Sequence, residues 1–278
     1  MNAVSAIQTG SVRIKAAQVE AKGTPLASMG HILFDSDWAD WLPIYAWVIQ
    51  HEEGAIVVDT GETARVHDAG YHPRWHPYIR WAAQFRVQPE EEIGPQLKRM
   101  GINPADVRQV VLTHLHTDHA GGLAHFPKSK IWVSQPEYEA ASGFLGKVRG
   151  YLPHRWPQWW KPVFVPWASE AVGPFTRSFP LTRRGDVVAV SAPGHTPGHL
   201  AVIVRDDVSV FIAGDITYNE RLLRAGKVDG VSPNQAVSLA TAKAVLKLAE
   251  SEKLVYLPSH DPDGPGRLAA LSLVNRTG

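Results

Sequence analysis

The sequence predicts a mixed α/β fold in a single domain spanning residues 1–278. Three observations carry this expectation. Short β-branched runs alternate with stretches of helical periodicity. No composition break or Ser/Gly linker divides the chain. Residues with metal-binding side chains recur where apolar runs end, which is where α/β folds build their sites.

Residues 1–11 read as a loose terminus, and Ser11–Ala17 alternates as a strand. Residues 44–50 and 55–59 are β-branched runs separated by a Gly-containing loop, the pattern of a hairpin. The second run empties into Asp59-Thr60-Gly61. Residues 89–100 open with Pro and acids, as a helix start does, and Gly101 is placed to cap the end. Residues 109–113 form a buried strand that runs into His114. Residues 131–134 read as a strand and 136–142 as a helix. Three more apolar strands follow at 187–192, 200–204 and 208–213. Residues 234–250 are the clearest amphipathic helix, and Leu254–Pro258 is a last strand before His260. Segments 71–86 and 151–167 resist this pattern and hold six of the ten tryptophans. They read as loop segments near the site, either satellite clusters packed over the core or an apolar wall or lid over a substrate pocket. Trp156, Trp159 and Trp160 are candidate pocket walls, because ligand pockets are largely apolar and aromatic.

Composition narrows the chemistry. The chain has no cysteine, which excludes disulfides, thiolate zinc sites, iron–sulfur clusters and cysteine nucleophiles. Its net charge of +1 gives no electrostatic drive towards nucleic acid. No window approaches a membrane span and no signal segment opens the chain, so a cytoplasmic protein without a membrane partner is expected. Thirteen histidines are an excess, and any transition metal would be held by His, Asp and Glu.

The histidines are clustered. His114-Leu-His116-Thr-Asp118-His119 places three histidines and an aspartate within six residues. Random placement gives such a run roughly once in a thousand sequences, so a histidine-rich surface loop is a poor account of it. In an extended chain, residues two apart share a face, so His114 and His116 can converge on one ion. Asp118 and His119 follow where the chain turns and can face a neighbouring point. Two adjacent metals are therefore expected, and further ligands must come from other strand ends. His195, Asp215 and His260 each occupy such a position. His199 is read as a supporting or packing residue.

This ordered set resembles the metallo-β-lactamase superfamily: His-x-His-x-Asp-His, then Gly194-His-Thr-Pro-Gly-His199, then Gly214-Asp215, then a late His260, with Asp59-x-Gly61 ahead of it. The resemblance implies an αββα sandwich, two mixed β-sheets flanked by helices, with two metals at one edge. Carried over, His114, His116 and His195 hold the first metal. Asp118, His119 and His260 hold the second, and Asp215 bridges them. Zinc is the first expectation, with iron, manganese or cobalt as alternatives.

Within the superfamily the chain is most similar to N-acyl-homoserine lactonases. The parallels are Leu42-Pro-Ile-Tyr45, Pro136-Glu-Tyr-Glu-Ala-Ala141 and Gly214-Asp-Ile-Thr-Tyr218. The resemblance implies a quorum-quenching hydrolase that opens a small-molecule lactone by attack of a metal-bridging hydroxide. It assigns Tyr218 to the substrate carbonyl and Asp118 to proton transfer. A second copy of the chain is a candidate partner. Other readings are hydrolysis of a different lactone, an aryl ester, a phosphotriester or a thioester on the same scaffold, and a non-catalytic binding module. One departure stands out: the stretch from His119 to His195, which holds the tryptophan-rich 151–167, looks longer than in compact lactonases.

Overall fold

Runs of Val, Ile, Ala and Trp that are buried on both faces cannot form solvated edges; they have to be stacked between layers. The computed structural model describes residues 3–21, 25–73, 75–143, 146–168 and 170–274. In chain order its elements are β1 (Ala3–Ile14), α1 (Ala16–Val19), α2 (Pro25–Phe34), β2 (Leu42–Gln50), β3 (Ile56–Val58), α3 (Pro77–Trp81), β4 (Ala83–Arg86), α4 (Ile93–Arg99), β5 (Gln109–Val111) and α5 (Thr117–Ala120). They continue with β6 (Lys130–Val133), α6 (Gln135–Ser142), β7 (Val163–Phe164), β8 (Ser178–Pro180), β9 (Val187–Ser191), β10 (Leu200–Val204), β11 (Ser209–Gly214), α7 (Glu220–Arg224), α8 (Gln235–Ser251), β12 (Leu254–Pro258) and α9 (Gly264–Ala270).

Two mixed sheets result. The first runs β4-β1-β2-β3-β5-β6-β7 and the second β12-β11-β10-β9-β8. The β2–β3 pair is the expected antiparallel hairpin, whereas β3, β5, β6 and β7 are parallel. β2 shows the layering. Its Ala46 and Val48 pack with Ile93 and Leu97 of α4 and Ala141 of α6. Its Tyr45, Trp47 and Ile49 face the other way, onto Val187, Leu200, Val202, Ile212 and Leu257 of the second sheet. The outer face of that sheet is covered by Ala242, Val245 and Leu248 of α8. The order across the molecule is helix, sheet, sheet, helix, the expected αββα sandwich.

One expectation is corrected here. The N-terminus is not loose: residues 1 and 2 lie outside the described residues, but residues 3–11 belong to β1, an interior strand of the first sheet. The register runs from Ala3 opposite Gln50 to Gln8 opposite Tyr45, then resumes with Ser11 opposite Pro43. The extra residue is a β-bulge, with Gly10 at φ 108°, a conformation that suits glycine. The bulge breaks the period-two alternation, and so many small residues hide the strand from a pattern reading. Of the two irregular segments, 71–86 supplies α3 and β4 (Arg74 lies outside the described residues), and 151–167 contributes a single tight turn at Pro153–Arg155 and the two-residue β7. The helix expected at 89–100 begins later, at Ile93, after a single tight turn at 89–91.

Candidate metal centre

The strand ends bring the ligand candidates together. His114 and His116 follow β5, His195 lies in the turn after β9, and Asp215 and His260 follow β11 and β12. Asp118 and His119 sit in the short helix α5. Their ligating atoms form three groups, each within 4.8 Å: His114, His116 and His195; Asp118, His119 and His260; and His114, His119 and Asp215. Asp215 lies between the first two groups. Its Oδ2 is 3.6 Å from His195 Nε2 and 3.4 Å from His260 Nε2, and its Oδ1 is 3.5 Å from His119 Nε2. All seven sequence candidates therefore meet at one place.

The outward-facing ring nitrogens suit the cluster to a cation. His119 Nδ1 lies 2.8 Å from Asp59 Oδ2, His260 Nδ1 2.8 Å from the Pro43 carbonyl, and His195 Nδ1 3.1 Å from Asp229 Oδ2. His114 Nδ1 lies 3.1 Å from Thr113 Oγ1, whose own hydrogen goes to Asp59. His116 hydrogen-bonds the Arg149 backbone. For His114, His116, His119 and His260 these outer acceptors take the ring protons and leave lone pairs turned inward, whereas His195 Nδ1 faces Asp229 as a close charge contact. His116 Nδ1 then stands 3.1 Å from both His114 Nε2 and His195 Nε2. Three ring nitrogens converging at that distance suit a cation between them. His119 Nε2 and Asp215 Oδ1 are likewise buried without a hydrogen-bond partner among the described residues. The donor set is nitrogen and carboxylate oxygen only, which suits zinc and its first-row neighbours.

The electrostatics divide the histidines: burial works against charge on His119, His195 and His260, but Asp215 and, for His195, Asp229 hold all three above the ordinary imidazole pKa. Burial holds His114 and His116 well below the ordinary imidazole pKa, as ligands that must be neutral require. Burial also works against charge on Asp215, but His260 and His119 hold its carboxyl well below the usual range. His199 is not a ligand; its Nε2 accepts the Asp215 backbone N–H at 3.1 Å, a supporting role.

A cavity of about 430 Å³ opens onto the cluster. One wall is His116, Asp118, His195, Asp215, Tyr218 and His260. The other is largely apolar and includes Val12, Ile14, Tyr78, Ile79, Phe85 and Val231. Tyr218 is buried, stacks on His260 at 5.3 Å between ring centroids, and receives a hydrogen bond from Gln18. The expectation for the tryptophans is not met, since none of Trp156, Trp159 and Trp160 lines this cavity. Trp156 and Trp160 pack with each other and with Tyr138 beside α6, and Trp159 is exposed. The aromatic wall comes instead from Tyr78 of α3 and Phe85 of β4 in the other irregular segment, and from Tyr151, which lies against the His116 ring at the start of the second.

The family model of the metallo-beta-lactamase superfamily matches residues 39–260. The chain belongs to the metallo-beta-lactamase superfamily. Membership makes it a metal-dependent hydrolase by class. Among curated proteins it is similar to N-acyl homoserine lactonase AttM of Azorhizobium caulinodans, 27% identical over 80% of this chain and 83% of that one. It is also similar to N-acyl homoserine lactonase AiiA of Bacillus thuringiensis subsp. kurstaki, 26% identical over 79% of this chain and 82% of that one. Among solved structures, an N-acyl homoserine lactone hydrolase with N-hexanoyl-L-homoserine bound at its catalytic metal centre shares the fold, with a TM-score of 0.74. It is 23% identical, and the match covers 94% of this chain and 93% of the other.

Sequence reasoning missed four residues that support the site. Asp229 backs His195, Gln18 backs Tyr218, and the Pro43 carbonyl orients His260. Glu137 is fully buried and accepts from the Leu115 N–H, the Thr196 hydroxyl and the Gly198 N–H, tying the first histidine loop to the His195 loop. Pro43 and Glu137 carried a signal, since they stand in the Leu42–Tyr45 and Pro136–Ala141 segments; Asp229 and Gln18 are distant in sequence from every motif.

Proposed function

We propose that the chain is a dinuclear metal-dependent lactonase that opens the ring of N-acyl homoserine lactones. The observation that carries this reading is a cavity that opens onto the His/Asp cluster and joins its His116, Asp118, His195, Asp215 and His260 to Tyr218 and a mostly apolar wall. Such a cavity accepts a substrate with a polar, electrophilic head and a hydrocarbon tail. The similarity to lactonases at 26–27% identity supports the same substrate class.

His114, His116 and His195 would hold one ion, Asp118, His119 and His260 the other, with Asp215 between them. Two divalent cations, zinc first, supply Lewis acidity, acidifying water and polarising a carbonyl. The remaining steps belong to the chain. Tyr218 donates its hydroxyl hydrogen to the lactone carbonyl oxygen as negative charge develops there. The nucleophile is water. The Asp118 carboxylate, 3.5 Å from His260 Nε2 and partly exposed to the cavity, takes a proton from it and returns one to the departing alkoxide. The ring C–O bond breaks, leaving a carboxylate and a free hydroxyl, and one proton is released overall. Val12, Ile14, Phe85 and Val231 exclude water from the acyl chain and hold the ring in register.

A pH-indicator assay over N-acyl homoserine lactones, simple lactones, thioesters and a phosphotriester tests the proposal. Metal-loaded protein is expected to turn over the acyl homoserine lactones with the highest kcat/KM. Preference for a thioester or phosphotriester transfers the scaffold to another hydrolase, and inactivity on every compound with full metal content removes the catalytic reading.

A further inference from the structure

Tyr218 has a partner of its own. Gln18, in α1, is buried and lines the same cavity. Its Nε2 donates to the Tyr218 hydroxyl oxygen at 2.9 Å, across 200 residues of sequence. The Gln18 side chain also hydrogen-bonds the hydroxyl of Tyr78, which lines the cavity from α3. Its Oε1 is buried with no partner among the described residues. The amide therefore turns its NH₂ towards two phenols, with its carbonyl unpaired among the described residues.

A phenol oxygen can accept and donate at once. When Gln18 fills the acceptor side of Tyr218, the phenol's own hydrogen stays free to point at the metal cluster. If an acceptor stood at position 18, the hydroxyl would turn its hydrogen towards that acceptor and away from the substrate. We propose that Gln18 is a positioning residue that commits the Tyr218 hydroxyl to donate towards the reacting carbonyl, with Tyr78 taking the second amide hydrogen. This rests on the lactonase reading for its catalytic consequence, but the hydrogen bond itself does not.

Two variants separate polarity from shape. Gln18→Glu is nearly isosteric and replaces the donor with an acceptor, whereas Gln18→Leu removes both. Each is expected to lower kcat on N-hexanoyl homoserine lactone about tenfold or more, with KM changed less than threefold and metal content unchanged. In a Tyr218→Phe background, Gln18→Leu is expected to have no further effect on kcat. An equal fall in both backgrounds, or full kcat in Gln18→Glu, overturns the proposal. An isotope-edited infrared spectrum gives a readout independent of turnover. The Tyr218 C–O stretch, isolated by subtracting Tyr218→Phe, is expected to shift when Gln18 becomes Leu. An unshifted band overturns the hydrogen-bond assignment. Wild-type protein that opens no lactone overturns the proposed function instead, and the infrared band still decides the role of Gln18 as donor.

Discussion

Asp59 adopts φ 60°, an uncommon conformation for a non-glycine residue, at the end of β3. It keeps that conformation because its carboxylate is fully engaged. One oxygen accepts from the Thr113 N–H at 2.7 Å; the other accepts from the Thr113 hydroxyl and lies against His119 Nδ1, both at 2.8 Å. Backbone strain here is offset by a fixed imidazole, a pattern found at functional sites. The proton-transfer role proposed for Asp118 makes the sharpest prediction at this scale. Asp118→Asn is expected to retain much of its metal while kcat falls at least ~100-fold. Metal analysis and steady-state kinetics check it, and near-normal turnover contradicts the role. A second prediction concerns Glu62, which is buried beside α5 and whose carboxyl is pushed up to about 8 by desolvation. Its folded pKa is raised, so between about pH 4.5 and 8 the folded state binds the extra proton. Metal-free protein should therefore lose stability as pH rises through that window, with a slope approaching about 1.4 kcal/mol per pH unit from this group. Glu62→Gln is expected to remove that slope in urea-unfolding curves, and an unchanged slope contradicts it. At this scale the sequence was most informative about the ligands, because one loop packs four of them into six residues. It was silent about Asp229 and Gln18, whose roles depend on contacts made across the fold.

Elements with a strong period were legible: α8 and the apolar strands β9 to β12 lie within a residue or two of their sequence-based bounds. β1 was not, because its bulge reverses the face pattern midway. The tryptophan segments misled for a related reason. Apolar residues in Pro-rich stretches carry no periodicity, so sequence cannot say which of two irregular segments turns its rings inward. Tertiary packing brought in Tyr78 and Phe85 from the first segment and only Tyr151, not the tryptophans, from the second. α6 shows how an outer helix reaches the site. Its Glu137 receives the Leu115 N–H, and Gly198 approaches so closely that a side chain there would collide with the Glu137 backbone. Glu137→Ala leaves buried donors unpaired, and a loss of about 2–4 kcal/mol is expected in denaturant unfolding. A change within experimental error contradicts the suture between the two loops.

At the scale of the whole molecule, the two sheets are joined by a continuous apolar layer, and the ligands come from loops at the ends of strands in both. A bound ion therefore ties one sheet to the other as well as serving chemistry. Chelation is expected to lower the melting temperature by several degrees, and restoring zinc should recover it, as mass action requires for a ligand that binds only the folded state. An unchanged melting temperature contradicts ligation from both sheets. No helix among the described residues is long and apolar enough to cross a membrane. The architecture was legible from motif order and strand patterning, whereas the cavity's walls required the folded chain. Ring opening in ¹⁸O-labelled water tests the account most directly. With metal-loaded protein and N-hexanoyl homoserine lactone, mass spectrometry should find one ¹⁸O in the product carboxylate and none in its hydroxyl, with chelator abolishing the reaction. Unreacted lactone, or label in the hydroxyl, would contradict water attack at the carbonyl carbon in this metal centre.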